Sequence, residues 1–329
     1  MGFLDTTLDK TLAGYTKLGV SSRGIDVTER FEEVAGEHIM VTGATGGIGK
    51  AATLRLAENG AIVHAVGRNP AKLAALVAEG GERIIPHQAD LSSMASIASL
   101  ASEYIESGFP LHALVNNVGV MSRERTVTDE GFELSYATNL LGQFLLIELL
   151  APVLDASSPS RVVLVSSGGM YSQPLTVSNI QSVDGEYNGT DAYARTKRGQ
   201  VVLAELLAAR FADDHVYVNS THPGWVDTEG VRTSLPTFRR ITGPFLRDEA
   251  QGADTIVWLA AAEEAVGETG LFFHDRAARP THRLKKTHTA EANREAFLAM
   301  LTKDAAPWLS PTVASIPTTQ SENPDAKDQ

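Results

Sequence analysis

Cysteine is absent from all 329 residues, which excludes disulfides, thiolate-bound metal and a thiol nucleophile while leaving the redox state of the compartment open. Positive charge is also scarce. The 28 Lys and Arg stand against 40 Asp and Glu, a formal charge of −12, whereas nucleic acid and anionic lipid both need clustered cations. No nucleic-acid partner is expected. No apolar stretch is read as approaching the roughly 20 residues that span a bilayer, and the N-terminus lacks the basic start and apolar run of a secretory signal. The expectation is a soluble, cytoplasmic protein with no membrane span. Met1-Gly2-Phe3-Leu4-Asp5-Thr6 fits the loose myristoylation pattern, but one acyl chain without a polybasic companion anchors only marginally. The nine His are scattered and form no closely spaced set with carboxylates, so no metal is expected.

What is present is a large apolar fraction, 43%, ample for a substantial core. Short β-branched runs at 38–41, 61–66, 83–86, 113–115, 161–165, 216–218 and 271–273 alternate with long helical patterns. That alternation predicts an α/β fold, a parallel sheet with helices on both faces. Gly60 ends a helix starting near Gly47, Ser92 and Ser93 cap a later one, and Asp191 caps the helix that carries Tyr193. No internal repeat and no Pro-rich or Gly-rich linker interrupts the middle, so a single domain is expected over 37–305. Leu4, Leu8, Leu12 and Tyr15 recur at helical spacing, predicting an amphipathic helix in a 1–36 extension. Residues 306–329 read as a mobile tail, anchored if at all by Trp308 or Leu309.

Three features carry chemistry. After the first strand run, Thr42-Gly43-Ala44-Thr45-Gly46-Gly47-Ile48-Gly49 places glycines at 43, 47 and 49, which lets backbone N–H groups and a positive helix end approach a pyrophosphate. A glycine-rich turn alone also suits close helix–strand packing. Ser166 and Ser167 end the fifth strand run, and Tyr193-Ala194-Arg195-Thr196-Lys197 follows. Tyr and Lys one helical turn apart point to the same side. A free phenol, with pKa near 10, is a poor proton donor around neutrality. An ammonium at about 5 Å would favour phenolate by roughly 3 kcal/mol at an effective dielectric of about 20, so Tyr193 is expected to be unusually acidic.

In this order, the turn, Asp90-Leu91, Asn116-Asn117-Val118-Gly119, Asn139, Ser167, Tyr193 with Lys197, and Pro223-Gly224 followed by Thr228 resemble the short-chain dehydrogenase/reductase family over residues 38 to about 280. The resemblance implies a doubly wound, parallel, seven-stranded sheet, the Rossmann fold, with a dinucleotide across the C-terminal strand edge. It implies cofactor contacts from Thr42, Gly43, Thr45, Gly47, Ile48 and Gly49. It places Asp90 and Leu91 by the adenine, Asn117 and Gly119 on the adenosine side, and Pro223, Gly224, Val226 and Thr228 at the nicotinamide and diphosphate. Tyr193 and Lys197 touch the cofactor as well as the reacting group. Helix capping is the alternative role for Asp90, and both roles are compatible. Val118 stands where alanine is usual, a change that removes no reactive group.

Ser167, Tyr193, Lys197 and Asn139 are then the catalytic residues the resemblance implies. Tyr193 exchanges a proton with the substrate oxygen, Ser167 holds that oxygen with Ser166 as the fallback, and Asn139 supports a water-linked path behind Lys197. Alternatively, Asn139 is a buried polar residue satisfying its neighbours, and the serines merely cap backbone groups. At the end of the second strand run, Val66-Gly67-Arg68 offers a guanidinium where a free ribose 2′-hydroxyl calls for a carboxylate, so NADP, as NADPH, is preferred and NAD allowed. The alternative is a solvent-facing Arg68 with no ligand.

Gly14-Tyr15-Thr16-Lys17, the Gly168-Gly169-Met170 turn and His222-Pro223-Gly224-Trp225 narrow the likeness to a retinol-dehydrogenase-like branch and its member 12-like group, implying a small, lipophilic alcohol or carbonyl substrate. Met170, Tyr171, Trp225, Leu235, Phe238 and Phe245 are candidate pocket walls. A homodimer or homotetramer through the helices around 129–154 and 191–211 fits the family's habit, although Val202, Leu203, Leu206 and Leu207 equally suit packing on the sheet. The competing functional class is a dinucleotide-binding sensor with little turnover, against which the intact Tyr193, Lys197, Ser167 and Asn139 argue.

Overall fold

The protein is described from a computed structural model covering residues 11–234 and 236–309. Chain order gives α1 (Lys17–Arg23), β1 (His38–Thr42), α2 (Gly47–Glu58), β2 (Ile62–Gly67), α3 (Pro70–Gly80), β3 (Ile84–Gln88), α4 (Met94–Glu106) and β4 (Ala113–Asn116). Next comes α5, built from Leu134–Tyr136, a π-helical turn Ala137–Leu141 and Gly142–Ala156. The chain continues through β5 (Ser160–Val165), α6 (Gly189–Arg210), β6 (Val216–Thr221), α7 (Glu229–Ser234), α8 (Pro236–Thr242), α9 (Glu249–Ala261), β7 (Phe272–His274), β8 (Ala277–Ala278) and α10 (Glu291–Ala305).

The strands lie in the order β3-β2-β1-β4-β5-β6-β7-β8. Seven are parallel, and the eighth is a two-residue antiparallel return on β7, one strand more than expected. Successive residues of a strand face opposite sides, and both sides here are covered. Ile39 and Val41 pack toward α2, α3 and α9, whereas Met40 packs toward α4, α5 and α6. That two-sided burial is why the central strands read as unbroken apolar runs. Pro86, which cannot donate to a ladder, is tolerated because β3 is an edge strand. The order reverses between β1 and β4, opening a crevice at the C-terminal strand ends.

Several local expectations change. Leu4, Leu8 and the Met1–Thr6 pattern lie outside the described residues. The predicted N-terminal helix is broken: Leu12–Tyr15 is a 3-10 turn, Thr16 is extended, and α1 restarts behind its hydroxyl, which accepts from the Leu18 N–H at 3.3 Å. The α6 cap is Asn188, whose Oδ1 accepts from Thr190 and Asp191 N–H at 3.0 and 3.1 Å; Asp191 sits inside the first turn. At the other end Leu309 is buried and Trp308 packs edge-on to Phe132 at 6.4 Å. Residues 310–329 lie outside the description. Leu134–Ala156 is long and apolar enough to cross a bilayer, contrary to the reading that no stretch is, but 78% of its apolar window is buried inside the protein. Val202, Leu203 and Leu207 are fully in the core, so they are spent on the sheet.

Candidate active site

The β1–α2 turn is shaped for backbone approach. Gly43 and Gly47 take φ of +67° and +56°, a region that L side chains rarely adopt. A Cβ on Gly49 would lie 2.2 Å from the Gly43 oxygen and 2.4 Å from Asn117 Nδ2, so nothing larger fits. Thr42 and Asn117 lock the turn to β4. Asn117 donates to the Thr42 oxygen at 2.9 Å, and the Thr42 hydroxyl accepts from Asn117 and Val118 N–H at 3.0 and 3.2 Å. Val118, two residues past the end of β4, thus leaves the strand pairing undisturbed. The α2 N-cap, Gly46, has no side-chain cap, leaving first-turn N–H groups available to an anion.

Two cavities meet over this turn. One, of about 210 Å³, is lined by Gly43, Thr45, Arg68, Asp90, Leu91 and Gly119, with Gly67, Val120, Leu134 and Thr138 among the other walls. The other, of about 340 Å³, is lined by Gly43, Gly47, Ile48, Gly49, Asn117, Gly119, Ser166, Tyr193, Lys197, Pro223 and Thr228, joined by Met121, Glu229, Gly230 and Val231. They share Gly43, Val118 and Gly119, forming one groove from the β2 end to Tyr193. A glycine-lined, uncapped helix start at its middle and a cation at one end fit a dinucleotide. Asp90 lines the groove, and its Oδ1 accepts from Ser92 N–H at 2.9 Å and the Ser92 hydroxyl at 2.7 Å, while the cap of α4 is Ser93, whose hydroxyl accepts from Ser96 N–H at 3.3 Å. The Arg68 side chain is exposed and makes no ion pair among the described residues. Thr42 and Val226 do not reach the groove. Thr42 is buried, and Val226 is packed under Ile48 and Gly252.

The other end of the groove gathers the chemistry. Tyr193 and Lys197 share one face of α6, with Nζ 5.3 Å from the phenol ring centre. Lys197 is 2% exposed and donates to the Val165 oxygen at 2.7 Å. Burial pulls its amine down to about 7. The same cause pushes the Tyr193 phenol up to about 12, opposed by a hydrogen bond with Ser167. This runs against the expectation of an acidified phenol, because in this site desolvation outweighs the Ser167 hydrogen bond. Tyr193 keeps part of its surface open.

The serine pair divides its work. Ser166 Oγ donates to the Lys197 oxygen at 2.7 Å and is buried, whereas Ser167 Oγ faces the phenol and accepts from Gly169 N–H at 3.2 Å. Asn139 lies in the π-helical turn, a feature that recurs at functional sites. Its side chain bonds both backbone groups of Val120, at 2.8 and 2.9 Å, and the Thr196 hydroxyl at 3.0 Å. It therefore ties the β4 exit to α6 and satisfies its neighbours.

Some expected walls are elsewhere. Met170 is core, packed with Val201 and Phe272, and Trp225 stacks on Tyr15 at 5.9 Å. Tyr171 packs edge-on to Phe272, and its hydroxyl donates to the Pro280 oxygen at 2.7 Å. Phe245 is exposed; Leu235 and the Phe238 side chain are outside the described residues. Sequence reasoning missed Gln143, which donates to the Val118 oxygen at 2.8 Å and accepts from Gln200 at 2.6 Å. A lone amide inside the apolar run after Gly142 was its only signal. It also missed Arg198, buried beside Lys197 and donating from Nε to the Met170 oxygen at 3.2 Å.

The chain matches the family described as short chain dehydrogenase over residues 37–237. It is 41% identical to dehydrogenase/reductase SDR family member 12 of Bos taurus over 301 residues, 89% of this chain and 94% of that protein. It is 37% identical to polyprenol dehydrogenase of Mus musculus, over 74% of this chain and 76% of that one. Among solved structures, an active-site complex of Pseudomonas aeruginosa RhlG with NADP superposes with a TM-score of 0.61 at 25% identity, covering 74% of this chain and 96% of the other. The groove, the Tyr193–Lys197 helix and these likenesses together make the chain a member of the short chain dehydrogenase family, an oxidoreductase on an NAD(P)-binding Rossmann fold.

Proposed function

We propose that the protein interconverts a lipophilic alcohol and its carbonyl with NADP(H), using Tyr193 as the acid and base. The observation that carries this reading is the convergence of the Tyr193 phenol and the Lys197 amine at one end of the groove, with the Ser167 hydroxyl hydrogen-bonded to that phenol. When bound, the nicotinamide supplies or accepts the hydride. In the reductive direction the Tyr193 O–H donates its proton to the substrate oxygen, and Ser167 orients that oxygen by hydrogen bonding. Lys197, pinned through Val165, sets a positive charge beside the phenol as the proton leaves. In the oxidative direction the phenolate takes the alcohol proton. The coenzyme preference rests on Arg68 at the β2 end of the groove, a guanidinium suited to a 2′-phosphate. The lipophilic class is supported by a relative named for a polyprenol.

Tyr193→Phe is expected to fold and bind NADPH yet turn over roughly 10²- to 10⁴-fold more slowly on a carbonyl panel. Near-normal turnover would remove Tyr193 from the reaction. In parallel, Arg68→Ala should cut kcat/KM with NADPH while sparing NADH, and an unchanged ratio would dismiss the 2′-phosphate assignment.

A further inference from the structure

The segment before β1 is wired into the groove rather than laid on the surface. The Gly14 oxygen accepts from Arg23 Nη1 at 3.1 Å and Arg247 Nη2 at 3.0 Å, and it faces His274 Nε2 at 3.1 Å. Arg247 is among the largest fully buried side chains. It also donates to the Thr16 oxygen at 3.2 Å, to the Pro223 oxygen at 3.4 Å, and to both carboxylate oxygens of Asp275 at 2.6 and 2.8 Å. Arg23 closes the knot on Asp275. A buried guanidinium keeps its charge only when it is paired and fully hydrogen-bonded, and three of these acceptors are backbone oxygens of residues 14, 16 and 223. The knot therefore fixes the N-terminal segment to the β6 exit.

Tyr15 makes the second connection. Its ring packs on His222 at 5.0 Å, Trp225 at 5.9 Å and His274 at 5.2 Å, and its backbone carbonyl accepts from Trp225 N–H at 2.7 Å. Trp225 in turn pairs with Arg247, whose oxygen accepts from Asp227 N–H at 3.0 Å. Residues 223–228 are thus held between Tyr15 on one side and the Arg247 backbone on the other. Pro223 and Thr228 of that stretch line the cavity that contains Tyr193 and Lys197.

We propose that residues 12–23 are a positioning element of the cofactor site, holding 223–228 in the binding conformation through Tyr15 and the Arg247–Asp275 knot. The inference rests on reading the groove as the dinucleotide site. Gly19 is the lever that tests it without touching the groove. It lies in α1 directly against Gly14, and a Cβ there would stand 2.2 Å from the Gly14 oxygen. Alanine must push α1 off that carbonyl.

The experiment reads amide hydrogen exchange across 223–228 and the NADPH dissociation constant in Gly19→Ala, Tyr15→Ala and Tyr15→Phe, each well below its melting temperature. Faster exchange at Trp225, Asp227 and Thr228 is expected in the two alanine variants. A fall of the competent population to about a tenth would raise the NADPH Kd about ten-fold. Tyr15→Phe, which keeps the ring, should stay near wild type in both. Folded alanine variants with wild-type exchange and wild-type Kd would overturn the proposal, and so would weaker binding with unchanged exchange. If Gly19→Ala does not fold, the Tyr15 pair decides. A wild-type protein that binds no NADPH would instead defeat the dinucleotide reading, with the exchange data still deciding whether 12–23 holds the loop.

Discussion

At the scale of single residues, Lys197 holds the sharpest conflict in the molecule. Its amine is buried and has one protein acceptor among the described residues, the Val165 oxygen, so the low-dielectric surroundings favour the neutral form and bring its pKa from 10.5 to about 7. The proposed role needs the cation. Without cofactor the phenol is held near 12, so Tyr193 starts the reductive direction as the protonated donor, and the group that titrates near neutrality is the lysine. Carbonyl reduction is therefore expected to decline as pH rises through about 7, and Lys197→Met should be slow and flat over the same range. Stability runs the other way. The folded amine has the lower pKa, so between about 7 and 10.5 the unfolded chain binds one more proton, and the apo-protein should become more stable as pH rises across that window. Urea midpoints at pH 7 and 9.5 check this, since Lys197→Met should lack the gain; parallel shifts in both proteins would show that the amine is not strained.

The element that decides cofactor binding is the β1–α2 turn, and Gly49 is its tightest point. An alanine there meets two groups that cannot swing away, the Gly43 oxygen and an Asn117 amide already bonded to Thr42. Overpacking of this kind costs roughly 1–3 kcal/mol, equivalent to about 5- to 150-fold in affinity if it falls on the bound conformation. NADPH titration of a folded Gly49→Ala should show that loss, and retained affinity would mean the turn relaxes freely. This element was legible in the sequence because its constraint is local, with glycines at fixed spacing after an apolar run. The strands were legible for a related reason, since burial on both faces leaves unbroken β-branched runs. The helix expected through Leu12 and Tyr15 was not, because Thr16 supplies both a break and a cap, and periodicity alone does not weigh a cap against continuation.

The whole molecule joins positions that no local pattern links. The contact of Gly14 with His274 spans 260 residues, which is why the role of the N-terminal segment could not be read from its spacing, whereas Tyr193 and Lys197 could. A second long-range feature is a row of imidazoles crossing three strands: His38 Nδ1 meets His64 Nε2 at 2.9 Å, and His64 Nδ1 meets His87 Nε2 at 2.9 Å. Each link needs one ring to donate and the next to accept, which neutral rings satisfy and two adjacent protonated rings cannot. Burial brings His64 down to about 3 and lowers His38 and His87 as well. Because the folded pKa of His64 lies below the ordinary 6.5, its contribution to stability is complete above 6.5. It is lost progressively as pH falls toward 3, where the unfolded chain takes up the proton first. For a fully buried ring this amounts to about 1.4 kcal/mol per pH unit. His64→Leu should be less stable at pH 7, because it leaves His38 and His87 without a partner, yet its stability should fall less steeply between pH 6 and 4. Urea unfolding of both proteins across that range measures the difference in slope directly, and two parallel curves would mean that the row tolerates a proton and that the acid sensitivity of the fold arises elsewhere.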